Sequence, residues 1–172
     1  MNTILHVEGD LNDVFFLGKA MQQVGVANAI QVVTDGQEAI DYLQGAGKFF
    51  DRGFFPLPCL VLLTLRLACM TGLEVLTWIR KQHSTCLPVI MFSASERDAD
   101  IEAAYRLGAN AFLHKPSDCR HLVDIANSIK EFWLTRNALP KESSPEAMIS
   151  RGALSGPGRP RLPTSTARWP AK

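Results

Sequence analysis

A short and almost wholly apolar run, CLVLLTLR, occupies residues 59–66. Continuous apolar runs of this length are typical of a central strand in a parallel sheet, where both faces of the strand are buried. Pro56 and Pro58 mark the entrance to that strand. Such a strand brings its last residue to the carboxyl edge of the sheet, where open α/β folds bind their ligands. That residue is Thr64, so the sequence places a hydroxyl, and no carboxylate, at this point of the edge.

Strand and helix patterns alternate along residues 1–135. Shorter apolar segments at residues 4–7, 30–34, 87–92 and 111–113 predict four more strands. Apolar residues at helical spacing follow each strand, and the predicted helices open on polar caps: Asp10 with Asp13, Asp35 with Glu38, Thr71 with Glu74, Ser95 with Asp98, and Ser117 or Asp118. This alternation predicts an α/β fold, a doubly wound parallel sheet with strand order 2-1-3-4-5.

The charge of the chain is distributed unevenly. Of its 18 basic and 17 acidic residues, six basic and two acidic ones lie beyond Pro140. Residues 1–140 therefore carry a net charge of −3 and residues 141–172 a net charge of +4. Because Ser, Pro, Gly and Arg dominate the second segment, we expect a globular domain at 1–140 and a disordered basic tail at 141–172. The basic tail raises nucleic-acid binding as an alternative. The lack of a helix-turn-helix pattern argues against DNA binding.

Several classes of protein are disfavoured by what the sequence lacks. The four cysteines are scattered, form no CxxC pair, and are interpreted as reduced thiols of a cytoplasmic protein. Acidic residues interrupt any N-terminal signal-peptide pattern, and no apolar run approaches the ~20 residues of a membrane helix. Neither GxGxxG nor GxxxxGK[ST] follows a predicted strand, which argues against a nucleotide-binding fold.

Polar residues follow four of the predicted strands. Because strands one and three flank the topological switch point of such a sheet, we expect the residues after them to face one crevice. The candidate pocket consists of Glu8, Gly9 and Asp10 after the first strand, Thr64 and Arg66 after the third, Ser93 after the fourth and Lys115 after the fifth.

Four segments together resemble response-regulator receiver domains of the chemotaxis-regulator type. They are HVEGDLNDVFFL, VVTDGQEAIDYL, LPCLVLLTLRLACMTGLEVLTWIR and LGANAFLHKP, all within residues 1–135. The sequences of these segments are similar to those of small single-domain regulators associated with bacterial phytochromes. The resemblance implies a flavodoxin-like (βα)5 fold, a part in two-component phosphorelay signal transduction with a sensor kinase or another signalling protein as partner, and no enzymatic activity.

In that family a kinase phosphohistidine transfers its phosphoryl group to an aspartate at the end of the third strand. That aspartate and an acidic pair after the first strand hold Mg²⁺, while a hydroxyl and a lysine hold the phosphoryl oxygens. Carried over by position, Glu8 matches the first acid, Ser93 the hydroxyl and Lys115 the lysine. Gly9 stands where the second acid belongs, and Thr64 stands where the phosphoacceptor belongs.

These departures predict a pseudo-receiver, which keeps the fold but loses the aspartyl phosphate and binds Mg²⁺ weakly or not at all. A threonine hydroxyl needs an adjacent base to act as a nucleophile, and Mg²⁺ requires anionic oxygens. We expect Lys115 to turn to Glu8, Asp10 or water, with Asp10 either capping the first helix or serving as a metal ligand. The alternatives are a phosphoacceptor with a relocated acid and a small-molecule sensor.

The resemblance also implies an interaction surface formed by the fourth helix, fifth strand and fifth helix. Tyr105 lies in that region, and Phe112 matches the aromatic switch residue that precedes the lysine by three positions. In the family this face supports homodimers, and Phe132 with Trp133 is a candidate anchor, or alternatively packs within the domain. The four phenylalanines of residues 48–58 either pack that loop onto the domain or form a second patch for a partner.

Overall fold

The computed structural model describes residues 3–82 and 86–138. Ten main elements alternate along the chain: β1 Thr3–Val7, α1 Leu11–Gln23, β2 Ala29–Val33, α2 Gly36–Gln44, β3 Pro58–Leu63, α3 Gly72–Gln82, β4 Val89–Ser93, α4 Asp98–Arg106, β5 Ala111–His114 and α5 Cys119–Ile129. A 3-10 turn at Gly47–Phe49 follows α2, and a π-helical segment at Lys130–Arg136 continues α5. The predicted elements are confirmed, with strand bounds that differ by one or two residues.

All five strands are parallel and lie in the order β2-β1-β3-β4-β5, as predicted. Val7 of β1 is in register with Leu63 of β3, so the residues that follow them end side by side at the carboxyl edge. The Thr64 N–H donates to the Val7 carbonyl at 3.1 Å, which ties the two strand ends together at this point. The strand order therefore brings Glu8 and Thr64 to one place.

The central strand β3 is buried on both faces. Leu60 and Leu62 pack in the cluster formed by α1 and α5, whereas Val61 and Leu63 pack in the cluster beneath α2, α3 and α4. The alternation follows from the two-residue period of a strand, which sends successive side chains to opposite faces. This explains why residues 60–63 are apolar without a break.

Most helix starts follow the predicted capping chemistry. Asp35 accepts from the Glu38 N–H at 2.8 Å, and Asp118 accepts from two N–H groups of α5 at 3.0 Å. Thr71 and Glu74 form a reciprocal capping box at α3. The cap predicted for α4 is wrong, because Arg97 occupies that position without a side-chain bond. Ser95 instead donates its hydroxyl to Asp100 at 2.6 Å.

The connection between β3 and α3 passes close to the end of the central strand. A Cβ at Gly72 would stand 1.9 Å from the Thr64 carbonyl oxygen, so only glycine fits this approach. The Gly72 N–H donates to the Leu65 carbonyl at 2.9 Å. The close contact holds the Thr64 backbone against the start of α3.

The phenylalanine-rich loop before β3 divides into two pairs. Phe49 and Phe55 form edge-to-face contacts with each other and with Tyr42, whose hydroxyl donates to the Pro56 carbonyl at 2.7 Å. Phe50 and Phe54 are 75% and 76% exposed. The packing interpretation is therefore confirmed for Phe49 and Phe55, and the partner patch stays a prediction for Phe50 and Phe54.

Three further expectations concern the chain as a whole. The four cysteines, which all lie among the described residues, form no disulfide with one another. Within the described ranges, no helix has the length and apolar character needed to cross a membrane. The predicted tail at 141–172 lies outside the described residues.

Candidate functional site

The carboxyl edge of the sheet carries a buried polar crevice. Glu8, Thr64 and Ser93 are all buried there, although each has a polar side chain. Lys115 enters from the end of β5, and Gly9 and Asp10 follow Glu8 on the way to α1. Arg66 is exposed on the connection after β3. The fold thus brings Glu8, Thr64, Ser93 and Lys115 to the same edge, and leaves the guanidinium in solvent.

Lys115 is held between two carboxylates. Its Nζ donates to Glu8 Oε2 and to Asp13 Oδ2, the latter at 2.7 Å. The side chains of Lys115, Glu8 and Asp13 are 12%, 4% and 41% exposed. Opposite charges that are shielded from water attract more strongly than those at an exposed surface. The ammonium therefore neutralises the buried carboxylate from within the protein.

Asp10 does not contribute to this triad. Its carboxylate accepts the Asn12 N–H at 2.8 Å and caps α1, while its own N–H donates to Glu8 Oε1 at 3.1 Å. Of the two carboxylates expected to contact Lys115, Glu8 does so and Asp10 does not. Asp13 takes the second place, and sequence reasoning had treated it only as a helix-start residue. Its position one turn into α1 was the available signal, since the first turn of that helix borders the crevice.

The residue that follows β3 has an uncharged side chain. Thr64 is buried beside Glu8 and presents a hydroxyl where the family has a carboxylate. At Gly9 a Cβ would meet only the Thr34 carbonyl oxygen, at 3.4 Å, which is an ordinary contact distance. The backbone at position 9 therefore accommodates a Cβ without a close contact.

Ser93 directs its hydroxyl to the backbone of the next loop. Its Oγ accepts the Ser95 N–H at 3.2 Å, and its carbonyl accepts the Lys115 N–H at 2.9 Å. The Ser95 carbonyl in turn lies 3.1 Å from His114 Nδ1. These bonds fix the β4–α4 loop to the end of β5.

His6 lies in β1, two residues before Glu8. The ring is buried, and burial together with the positive charge of Lys115 lowers its pKa to about 4, against a smaller opposing effect of Asp13. The imidazole is therefore neutral at physiological pH. The ring is part of the buried interior.

Among the described residues, Glu8 provides the one buried carboxylate of the crevice. Within the described part of the chain, no group of three or more His, Cys, Asp or Glu side chains is placed to bind a metal ion. Mg²⁺ requires an octahedral oxygen shell that includes one or two carboxylates, and here the buried carboxylate is already paired with an ammonium.

The candidate interaction residues differ in their surroundings. Tyr105 is half-exposed, and its hydroxyl accepts the Phe112 N–H at 3.2 Å. The Phe112 ring packs partly against the core. Phe132 is exposed and meets Trp133 edge to face at 5.0 Å, while Trp133 packs against the α1 and α5 cluster. Within this aromatic pair, Phe132 is the residue that faces solvent.

A family model described as the response regulator receiver domain matches residues 4–127. The chain belongs to the response-regulator receiver family. As a receiver, it is a response regulator of two-component signalling, a class of proteins that interact with sensor kinases and other signalling proteins.

Three proteins show how the receiver compares with relatives. The probable methanogenesis regulatory protein FilR2 of Methanothrix harundinacea is 34% identical over 138 residues, which cover 80% of this chain and 86% of FilR2. The phosphorylated cyanobacterial phytochrome response regulator RcpA matches with a TM-score of 0.75 at 31% identity, over 81% of this chain and 99% of RcpA. The Mn²⁺-bound form of Rcp1 from Synechocystis matches with a TM-score of 0.73 at 29% identity, over 82% of this chain and 100% of Rcp1.

Proposed function

We propose that this receiver signals by protein contact, without forming an aspartyl phosphate. The observation that carries the proposal is the ion triad at the crevice, in which Glu8 and Asp13 bind the Lys115 ammonium beside an uncharged Thr64. The charge that a divalent cation would neutralise is already balanced by a side chain of the protein. The fold is retained, and the phosphoryl-accepting carboxylate is absent from its position.

The chemistry of position 64 supports this proposal. An aspartate is an anionic nucleophile at neutral pH, whereas a threonine hydroxyl must first transfer its proton to a base. The nearest buried carboxylate, Glu8, is engaged with Lys115 and with the Asp10 N–H. It is therefore not available as that base.

The output of the receiver is binding to a sensor kinase or another signalling protein in the cytoplasm. The surface we assign to this contact is the face formed by α4, β5 and α5, with Tyr105 and Phe112 near its centre. Exposed Phe132, beyond α5, is the candidate anchor of a homodimer on the same side. Aromatic side chains often contribute most of the binding energy at such contacts.

The direct test is phosphorylation with a small-molecule donor. Incubation of the chain with acetyl phosphate and Mg²⁺, followed by intact mass spectrometry, is expected to leave the mass unchanged, because the acceptor carboxylate is missing. RcpA, described as phosphorylated, is the positive control under the same conditions. A hydroxylamine-labile phosphoryl adduct on any Asp or Glu would contradict the proposal and would favour a relocated acid.

The second test restores the two carboxylates. We expect Gly9→Asp with Thr64→Asp to bind Mg²⁺ with a Kd on the order of 1 mM, because two acids then join Glu8 at one point. At 10 mM Mg²⁺ this affinity corresponds to about 1.4 kcal/mol of stabilisation. The midpoint of thermal unfolding should rise by roughly 4 °C, and isothermal titration calorimetry measures the affinity directly.

The control variants show whether the position of the added carboxylates, or only their total charge, determines the affinity for Mg²⁺. Thr64→Asp alone should respond weakly, because position 9 still lacks its carboxylate. Gly18→Asp combined with Thr64→Asp adds the same net charge as the restoring pair, and a Cβ at Gly18 meets nothing within 4 Å. Equal Mg²⁺ affinity in the single, control and restoring variants would refute this account of the crevice.

A further inference from the structure

Among the described strands, β5 lies at one end of the sheet and pairs only with β4, through Ser93 with His114 and other positions. The order β2-β1-β3-β4-β5 leaves the other side of β5 without a strand neighbour among the described residues. The Lys115 N–H donates to the Ser93 carbonyl and so points toward β4. Backbone groups alternate in direction along a strand of a parallel sheet, so those of Phe112 and His114 point to the open side. An open edge of this kind is a template for pairing with another chain.

A side chain of α4 meets this open edge. The Tyr105 hydroxyl accepts a hydrogen bond at 3.2 Å from the Phe112 N–H, which points away from β4. Tyr105 itself is 52% exposed. The hydroxyl oxygen thus takes the place that the carbonyl oxygen of an added strand would take. The ring that carries it stands between the edge and solvent, since it must span from α4 to β5.

We propose that Tyr105 closes the β5 edge against pairing with the β5 strand of a second copy of the chain. Two copies related by a two-fold axis are self-complementary at this edge, because each presents outward donors and acceptors at the same two positions. β5 is only four residues long, so few bonds would form and one side chain is sufficient to compete with them. The Tyr105 bond to Phe112 includes none of the crevice side chains, so this inference does not rest on the proposed function.

The hydrogen bond is tested by amide exchange. In Tyr105→Phe the Phe112 amide should lose roughly 5-fold of its protection, the amount expected for one neutral hydrogen bond. The Lys115 amide, which bonds to β4, should keep its protection and serves as the internal reference. Tyr42→Phe removes another tyrosine hydroxyl bond, that to Pro56, and is the matched control. Equal loss at both amides, or no loss at Phe112, would overturn the proposal.

Measurements of self-association test whether Tyr105 prevents two β5 edges from pairing. Removal of an exposed aromatic side chain ordinarily weakens association, yet Tyr105→Ala should strengthen it by uncovering the edge. Sedimentation velocity should show a shift to larger species, relative to the wild type, over the same concentration range. Phe15→Ala removes a 57% exposed ring from α1 and should show no such shift. If Tyr105→Ala sediments as the wild type does, the edge is not closed by Tyr105 and the proposal fails.

Discussion

Replacement of Lys115 by methionine is expected to lower the free energy of unfolding by about 3 kcal/mol, near the lower end of the range for breaking a buried ion pair. The loss arises because Glu8, which is 4% exposed on its side chain, would keep a negative charge without a cation beside it. Asp13 contributes less, since its side chain is 41% exposed and partly screened by water. Urea unfolding at neutral pH measures the change.

Two companion variants show whether the charge is responsible. Glu8→Gln combined with Lys115→Met removes both charges and should recover most of the lost stability. Lys48→Met breaks the exposed pair with Glu38, whose side chains are 65% and 28% exposed, and should cost no more than about 1 kcal/mol. If Lys115→Met costs as little as Lys48→Met, the triad is not the element that neutralises the crevice.

Acidification from pH 7 to pH 4 is expected to remove about 3 kcal/mol of stability through His6 alone. Burial and the nearby Lys115 charge lower the pKa of His6 to about 4, and Asp13 opposes this only in part. In the unfolded chain the imidazole has a pKa of about 6.5. Between these two values the unfolded state binds more protons than the folded state, so stability falls as the pH falls through this window.

The measurement is the free energy of unfolding as a function of pH in the wild type and in His6→Leu. The variant should lose stability less steeply between pH 6.5 and pH 4, and the difference between the two curves isolates His6 from the carboxylates. His121 is the control, because Asp118 raises its pKa and gives a contribution of the opposite sign at an exposed site. Parallel curves for the wild type and His6→Leu would show that the ring is not buried in its neutral form.

Some features of the crevice can be predicted from the sequence, and others cannot. Thr64 and Gly9 were identified as departures from the receiver pattern through the resemblance to that family, which implies an acid at each of these positions. The convergence of strand ends in a parallel sheet predicted that both residues lie at one edge. The partner of Lys115 was harder to predict. Asp10 and Asp13 are both acidic and both near the start of α1, yet the first is engaged by the Asn12 N–H and the second by the ammonium.

The phenylalanines are a second case in which the sequence pattern does not predict which side chains are packed and which are exposed. Four of them occur within the loop before β3, and nothing in their spacing separates Phe49 and Phe55, which pack on Tyr42, from exposed Phe50 and Phe54. The loop has no regular period to assign a face, so the three-dimensional path of the backbone makes the choice. Tyr105 is similar, since its bond to Phe112 joins α4 to the next strand.

The order of strands and helices, the burial of β3 and the lack of a carboxylate at position 64 were determined by the sequence itself. They depend on local apolar periodicity, on capping residues and on the identity of one side chain, all of which are properties of neighbouring residues. The Lys115 triad was decided by the tertiary structure, because its members are separated by up to 107 positions along the chain. Only the assembled sheet brings the end of β5 next to the start of α1, and the burial there determines which carboxylate the ammonium must neutralise.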